Sequence, residues 1–169
     1  MNSPPFRVAA LDQAYERTSF RSGSKVLDAY FHRQVTQDIR RNVTVCFVAL
    51  TPEQRIAGYY TLASASMLLA DLPASIGKKL PRYPSVPAVR MGRLAVDKTF
   101  QGGGLGAALL ADALARAARS EIAAYALLVD AKDQAAAAFY RHHGFIALAD
   151  APLALFLPLA TAAARSRSA

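Results

Sequence analysis

The sequence predicts one α/β (α+β) domain over residues 1–169, and three observations lead to that fold class. Two β-rich runs, 43–50 and 56–64, are separated by a turn of hairpin length, which predicts an antiparallel pair. A strand at 91–96 runs through a glycine turn into an amphipathic helix, and a second strand–helix unit occupies 125–143. With 169 residues and 53% hydrophobic content, the chain can build one sizeable core but is too short for two ordinary domains.

The first long helix is predicted over 24–40, where apolar residues recur at helical spacing and Ser24 can cap the N-terminus. The apolar run at 65–72 is expected to continue the meander of strands. Residues 77–87 contain three prolines and two lysines, which indicates a loop on the substrate side. The remaining predicted elements are a strand at 125–131, a helix at 134–143, two closing strands that include 153–157, and a short helix or frayed tail at 159–169.

Net charge and cysteine content indicate which kinds of partner and which cellular compartment are expected. The chain carries 20 basic and 12 acidic residues, a net charge of +8, which favours an acidic partner such as nucleic acid or a polyphosphate cofactor. The single cysteine, Cys46, lies in an apolar run and is expected to be a buried thiol in a reducing cytoplasm. No signal peptide is readable, and Asp150, Pro152 and Pro158 interrupt the weakly charged stretch 146–164, so no membrane span is predicted.

The most informative segment is the glycine turn at 101–106, which precedes a predicted helix. Unpaired amides and the positive end of the helix dipole make such a turn a site for phosphate. A nucleoside-triphosphatase loop is excluded because no lysine and no hydroxyl residue directly follow Gly106. A Gln-x-x-Gly-x-Gly pyrophosphate loop is filled by Gln101, Gly104 and Gly106.

A dinucleotide-binding fingerprint also fits, because Gly102, Gly104 and Ala107 have its spacing and Asp130 stands where an acidic ribose ligand is expected. Its context does not fit. Residues 97–101 separate the strand from the first glycine, and too few elements follow for a six-stranded doubly wound sheet.

The glycine loop, the strand at 91–96 and the later Phe-Tyr segment at 139–145 resemble, in order and spacing, the GNAT N-acetyltransferase superfamily over nearly the whole chain. More narrowly, the sequence is similar to the GNAT toxins of bacterial type II toxin–antitoxin systems. Those toxins commonly carry Cys-Gly before the first long helix, where this chain has Ser22-Gly23, and we interpret that position as packing or capping. The segments that carry the narrower similarity are 20–23, 58–62, 80–87, 129–131 and 155–158.

The resemblance implies the GNAT fold, a central mixed, mostly antiparallel twisted sheet of about six to seven strands flanked by helices. It also implies acetyl-CoA as co-substrate, whose thioester a substrate amine attacks directly. Backbone groups would hold the pyrophosphate and the pantetheine arm. The implied cofactor-binding residues are Leu94, Ala95, Val96, Gln101, Gly102, Gly103, Gly104, Leu105, Gly106 and Ala107.

Tyr140 is the implied catalytic residue, because a phenol is neutral at pH 7 and can protonate the departing thiolate. The alternative is a core tyrosine, a role that Phe139 fits better. Adjacent His142 and His143, like His32, are expected at surface or helix-end positions rather than as a base. Asp133 is expected to cap the helix that follows it.

Two further interpretations stay open at this stage. Asp130 either orients substrate or closes a turn. Tyr59 and Tyr60 point to opposite faces of one strand, so one of them is expected to line the acceptor cleft while the other packs. No cluster of His, Cys and carboxylate residues has ligand spacing, so no metal site is predicted.

The toxin resemblance implies that the acceptor is the α-amine of aminoacyl-tRNA, so that acetylation blocks translation. It further implies a cognate ribbon-helix-helix antitoxin, a homodimer and a cytoplasmic location. The contact with tRNA would be electrostatic, with Arg93 as the leading basic residue because strand alternation can turn it into the cleft. The substrate-binding residues nominated are Arg93, Arg90, Lys78, Lys79 and Arg82, with Arg33, Arg40 and Arg41 as further basic residues.

Two other functions compete with that assignment. One is an ordinary GNAT enzyme that acetylates a small amine or a protein N-terminus. The other is a non-catalytic module that binds CoA or a regulatory partner, and Tyr140 together with an intact glycine loop argues against it.

Overall fold

The computed structural model describes residues 5–168, which group into two compact units. The first unit contains residues 5–63 and Gly92–Ala113, and the second contains Ser64–Met91 and 114–168. Two strands and one helix contribute residues to both units. That the whole chain is one domain stays a prediction.

The strands form a seven-stranded mixed sheet in the order β1-β2-β3-β4-β5-β7-β6. The pairing of β4 with β5 is parallel, whereas β1 with β2, β2 with β3, β5 with β7 and β6 with β7 are antiparallel. This confirms the mixed, mostly antiparallel sheet that the resemblance implies. The strands are β1 (Arg7–Ala10), β2 (Val45–Leu50), β3 (Ile56–Leu68), β4 (Ser85–Val96), β5 (Ala126–Asp130), β6 (Ile146–Leu148) and β7 (Ala151–Pro158).

The first helical segment is interrupted where the sequence predicts one continuous helix. Helix α1 (Lys25–Ala29) passes through a π-helical turn (Tyr30–Gln34) into α2 (Val35–Arg40). Ser24 caps α1 as expected, since its side chain accepts a hydrogen bond from the Leu27 N–H at 3.3 Å. The other helices are α3 (Ala74–Gly77), α4 (Leu105–Arg119), α5 (Gln134–His142) and α6 (Leu159–Ser168), with 3₁₀ turns at Leu69–Asp71 and Lys98–Phe100.

Several boundaries differ from the sequence prediction. The predicted strands 56–64 and 65–72 are one strand, β3, that ends in the 3₁₀ turn. Strand β1 was not predicted from the sequence, because four residues carry little periodic signal. The predicted loop 77–87 overlaps β4, which contains Pro87. This proline is exposed and contributes only its carbonyl, which accepts a hydrogen bond from the Tyr125 N–H at 2.8 Å.

The core of the first unit is aromatic. Phe31 stacks on Tyr59 with ring centroids 4.2 Å apart, and Phe20 meets both rings edge-on. Gly58 lets α4 approach β3, because a Cβ atom there would lie 2.8 Å from the Leu109 Cδ1. These contacts fix the start of α4 against the strands that precede it.

The core of the second unit is built around β5, whose first four residues are all buried. Phe156 of β7 and Leu128 of β5 share a cluster with Leu72 and Val86. Within residues 5–168, no helix is long and apolar enough to cross a membrane.

Candidate active site

The glycine turn has the open geometry that an anion site requires. Gly102 and Gly104 have φ angles of +85° and +87°, which L side chains rarely adopt, and a Cβ atom on either residue or on Gly103 would meet nothing within 4 Å. Among the described residues, none accepts a hydrogen bond from the backbone N–H groups of residues 102–107. The turn leads directly into α4, so these amides lie at a helix N-terminus and fit a pyrophosphate.

Gln101 holds the turn in place through its side chain. Its Nε2 donates hydrogen bonds to the carbonyl oxygens of Val96 and Ser22, both at 2.8 Å. The amide therefore ties the loop to the end of β4 and to the segment before α1. In this arrangement Gln101 shapes the backbone cradle, and the cradle's own amides are left for the ligand.

Asp97 is a second brace, and sequence analysis missed it. The carboxylate is 3% exposed and accepts hydrogen bonds from the N–H groups of Arg21 and Thr99, both at 2.9 Å. Arg55 approaches the same carboxylate at 3.4 Å. The available signal was an aspartate directly after a strand and two residues before a threonine, a common N-cap pattern.

The Ser22-Gly23 position holds the segment that precedes α1, whereas the N-cap of that helix is Ser24. The Ser22 N–H donates to both carboxylate oxygens of Asp28, at 3.0 and 3.1 Å, and its hydroxyl donates to the same group at 2.6 Å. Gly23 has a φ of +100°. The loop before α1 is therefore fixed by a buried carboxylate within the helix that it precedes.

Residues 94–96, implied to bind the pantetheine arm, form the last part of β4. The parallel pairing with β5 covers only four residue pairs, from Ala88 with Ala126 to Met91 with Val129. Leu94, Ala95 and Val96 lie beyond those pairs, at the end of β4 that leads to the glycine turn. Their contact with a cofactor stays a prediction.

Tyr140, the implied acid, lies on α5 in the second unit. Tyr140 is 7% exposed. Its ring packs edge-on against Phe139, with ring centroids 5.3 Å apart, and lies tilted against Phe145, with centroids 5.5 Å apart. Among the described residues, none makes a hydrogen bond to its hydroxyl group. Burial and the nearby Asp130 carboxylate raise the pKa of Tyr140, so the phenol keeps its proton at neutral pH.

The neighbours of Tyr140 mostly have structural roles. Asp133 caps α5 as predicted, because its side chain accepts a hydrogen bond from the Ala136 N–H at 2.8 Å. Asp130, at the end of β5, forms an ion pair with Arg90. His142 is exposed in the last turn of α5, and His143 follows that helix directly, where burial lowers its pKa. His32 belongs to the first unit, where it contacts the Phe20 carbonyl at 2.9 Å.

The expectation that Tyr59 or Tyr60 lines an acceptor cleft is wrong. Both side chains are fully buried. The Tyr59 hydroxyl donates to the Leu27 carbonyl at 2.7 Å, and the Tyr60 hydroxyl donates to Asp112 at 2.5 Å. Helices cover both faces of this strand, so alternation does not expose either residue.

The nominated basic residues fall into two groups. Arg93 in the first unit is half-buried, and its guanidinium lies 3.4 Å from the centre of the Tyr30 ring, whose hydroxyl donates to Asp38 at 2.8 Å. In the second unit Lys78, Lys79 and Arg82 are exposed, and Arg90 is partly exposed and paired with Asp130. Their role in tRNA binding stays a prediction.

Cys46 is a buried thiol, as predicted. The residue is 3% exposed and its burial raises the pKa to about 12, so it is almost wholly protonated at neutral pH. Within the described residues, no group of three His, Cys, Asp or Glu side chains is arranged to hold a metal ion.

Comparison with known proteins decides the family. Residues 42–147 match the sequence profile of the acetyltransferase (GNAT) domain. The chain belongs to the GNAT acetyltransferase family. This GNAT chain is therefore an N-acetyltransferase that uses acetyl-CoA, and the glycine turn lies within the matched residues.

Relatives of this GNAT chain are toxins. It is 38% identical over 157 residues to the tRNA-acetylating toxin of Mycobacterium tuberculosis (strain ATCC 25618 / H37Rv), covering 92% of this chain and 91% of that protein. The solved structure of AtaT complexed with acetyl-methionyl-tRNAfMet is similar, with a TM-score of 0.87, 31% identity and coverage of 95% and 99% of the two chains.

A second solved structure contains both a protein partner and the co-substrate. It is a mutant of the toxin AtaT, with one tyrosine changed to phenylalanine, bound to the C-terminus of the antitoxin AtaR and acetyl-CoA. Its TM-score is 0.81 at 25% identity, with 96% of this chain and 99% of that chain covered.

Proposed function

We propose that this GNAT enzyme is a toxin that acetylates the α-amine of aminoacyl-tRNA and thereby blocks translation. The observation that carries the proposal is the similarity to the tRNA-acetylating toxin, which extends over nine-tenths of both chains. The likeness to AtaT in complex with an acetylated aminoacyl-tRNA supports the same acceptor.

The glycine turn supplies the cofactor half of this chemistry. Backbone N–H groups of residues 102–107 bind the pyrophosphate of acetyl-CoA, helped by the positive end of the α4 dipole. Gln101 and Asp97 keep the turn in its open form, so little reorganisation accompanies binding. The backbone of residues 94–96 pairs with the pantetheine arm.

Tyr140 supplies the proton that the reaction needs at sulfur. The acceptor nitrogen forms a bond to the acetyl carbonyl carbon, the carbon–sulfur bond breaks, and the departing thiolate takes the phenolic proton. The acceptor nitrogen releases a proton to solvent, and the phenolate regains one from solvent. A phenol with a raised pKa is fully protonated before each turnover, and no described residue competes for its hydroxyl.

The partners follow from the same assignment. We infer that a cognate antitoxin with a ribbon-helix-helix DNA-binding domain neutralises this toxin and that the active protein is a cytoplasmic homodimer. The antitoxin-bound structure of AtaT supports a protein antitoxin. A gene for a small ribbon-helix-helix protein beside this one would support the DNA-binding type, and a molecular mass from light scattering tests the dimer.

The test is transfer of labelled acetyl from acetyl-CoA to bulk charged tRNA by the purified full chain. We expect labelled aminoacyl-tRNA with charged tRNA and none with uncharged tRNA, because the uncharged 3′ end offers no α-amine. Acetylation of polyamines or of a peptide N-terminus, with no acetylation of any aminoacyl-tRNA, would overturn the proposal in favour of an ordinary GNAT enzyme.

A further inference from the structure

An exposed aromatic residue stands among cations in the second unit, and the acetyl-transfer mechanism does not use it. Residues 72–96 contain five basic residues and no acidic residue. Within that stretch Lys78, Lys79 and Arg82 are exposed, and Tyr83 is 66% exposed. A tyrosine ring is large and mostly apolar, so this degree of exposure leaves a surface suited to a stacking partner.

The Tyr83 loop, defined as residues 78–84, is anchored at both ends. Leu80 packs against the core of the second unit, and Val86, just beyond the loop, is buried in that core. The Leu69 N–H donates a hydrogen bond to the Pro84 carbonyl at 3.0 Å. A proline stands on each side of the Arg82–Tyr83 pair and restricts the backbone. The exposed Tyr83 ring therefore lies on a loop whose conformation is restrained.

We propose that the Tyr83 loop is a stacking platform for single-stranded RNA and that it receives the unpaired 3′ end of tRNA. This inference rests on the proposed function, because it assigns a surface for the same acceptor. Unpaired bases stack on exposed aromatic rings, and neighbouring cations bind the phosphates between them. The charge of the loop is complementary to that backbone, and the bases inside a paired stem have no free face to offer the ring.

The experiment compares binding of two uncharged tRNAs, one intact and one lacking its unpaired 3′-terminal nucleotides, by fluorescence anisotropy without acetyl-CoA. Tyr83→Ala should weaken binding of the intact tRNA by about 5- to 150-fold, the range that base–aromatic stacking supplies. It should leave binding of the shortened tRNA within about twofold, because the stacking partner is already missing. Tyr83→Phe keeps the ring and should retain the affinity of the original chain.

Two controls separate stacking from charge and from general loss of apolar surface. Ile122 is 82% exposed in the same unit, follows Glu121 and is not part of the Tyr83 loop, so Ile122→Ala removes an exposed apolar side chain outside that loop and should not change binding of either tRNA. Lys78→Ala with Lys79→Ala should reduce the salt dependence of binding for both tRNAs. Tyr83→Ala should not change it.

Equal weakening of both tRNAs by Tyr83→Ala, or no weakening, would overturn the inference. A change in oligomeric mass with unchanged RNA binding would assign the ring to a protein contact instead, which also overturns it. The assay uses no acetyl transfer. A chain that acetylates no aminoacyl-tRNA yet shows the Tyr83 effect would therefore contradict the proposed function and leave the RNA platform standing.

Discussion

The Tyr140 ring is fixed by packing, whereas no described residue makes a hydrogen bond to its hydroxyl group. An edge-on contact with Phe139 and a tilted contact with Phe145 fix the orientation of the ring, while none of the described residues makes a hydrogen bond to its oxygen. A structural tyrosine such as Tyr59 shows the opposite arrangement, with its hydroxyl donated to a helix carbonyl. This difference supports Tyr140, among the buried tyrosines, as the proton donor.

Tyr140→Phe should lower kcat by roughly two to four orders of magnitude, the range for a lost general acid. Affinity for acetyl-CoA, measured by calorimetry, should not change, because the ring is retained. Tyr125→Phe is the matched control, a tyrosine of the same unit outside the site, and should keep full activity. Full activity of the Tyr140→Phe variant would show that Tyr140 is a core packing residue and not the proton donor.

The pH profile gives an independent check of the same residue. Burial and the Asp130 carboxylate raise the pKa of Tyr140 above its usual value, about 10, so deprotonation of the phenol begins only in strong base. We expect kcat to show no alkaline decline up to pH 9.5, measured with an amide-linked aminoacyl-tRNA that resists hydrolysis. A decline near pH 8 that disappears in Tyr140→Phe would contradict this pKa direction.

Residue roles were predictable from sequence where they depend on local geometry. The caps at Ser24 and Asp133 each act through an amide three residues further along the chain, so local spacing defines them. The burial of both Tyr59 and Tyr60 depends on what covers each face of β3, which strand alternation alone does not report. Asp97 was missed because two of its partners, Arg21 and Arg55, are distant in sequence.

At the scale of elements, the glycine turn and α4 act as one unit. Positive φ at Gly102 and Gly104 turns the chain, and α4 follows directly. Among residues 5–168, none accepts a hydrogen bond from the first-turn amides 105–107. Gln101 and Asp97 brace the turn from outside. The sequence predicted this element well because its glycines and the helical spacing of α4 lie within one short segment, whereas the π-helical turn at Tyr30–Gln34 has no comparable local pattern.

Gly104→Asp should abolish measurable binding of acetyl-CoA, because a carboxylate would stand against the pyrophosphate. The φ of +87° also strains any L side chain there, at a cost of about 1–2 kcal/mol. Gly104→Ala carries the same strain without the charge and should weaken binding less. Calorimetry on both folded variants measures the difference in affinity for acetyl-CoA. Unchanged affinity in Gly104→Asp would show that the glycine turn does not bind the cofactor.

Gly58→Ala tests how closely α4 packs on β3. The added Cβ atom would lie 2.8 Å from the Leu109 Cδ1 and 3.0 Å from the Ala95 backbone oxygen, so both must shift. We expect the free energy of unfolding to fall by about 1–3 kcal/mol in denaturant titrations. Gly103→Ala places a methyl group in open space and should change stability by no more than about 0.5 kcal/mol. Equal effects of the two substitutions would show that Leu109 and Ala95 move away from the new methyl group with little loss of stability.

At the scale of the whole molecule, charge and topology were predicted with different success. Composition gave the sign of the charge, +8, and the resemblance to the GNAT superfamily implied the mixed sheet. Strand β1 and the full length of β4 were not predicted, since pairing with neighbouring strands determines where a strand begins and ends. Arg90 shows the same limit for charge, because its ion pair with Asp130 forms across adjacent strands.

The net charge predicts that binding of tRNA depends steeply on salt. Counterions released from contacted phosphates make affinity fall with rising salt, so binding should weaken by orders of magnitude between about 50 and 200 mM monovalent salt if several phosphates are contacted. Replacing Lys78 and Lys79 with alanine should flatten the slope of log affinity against log salt and leave acetyl-CoA affinity intact. Arg119→Ala removes an exposed cation at the far end of α4 and serves as the control. A shallow slope in the original chain would mean that few phosphates are contacted and that the acceptor is recognised by other means.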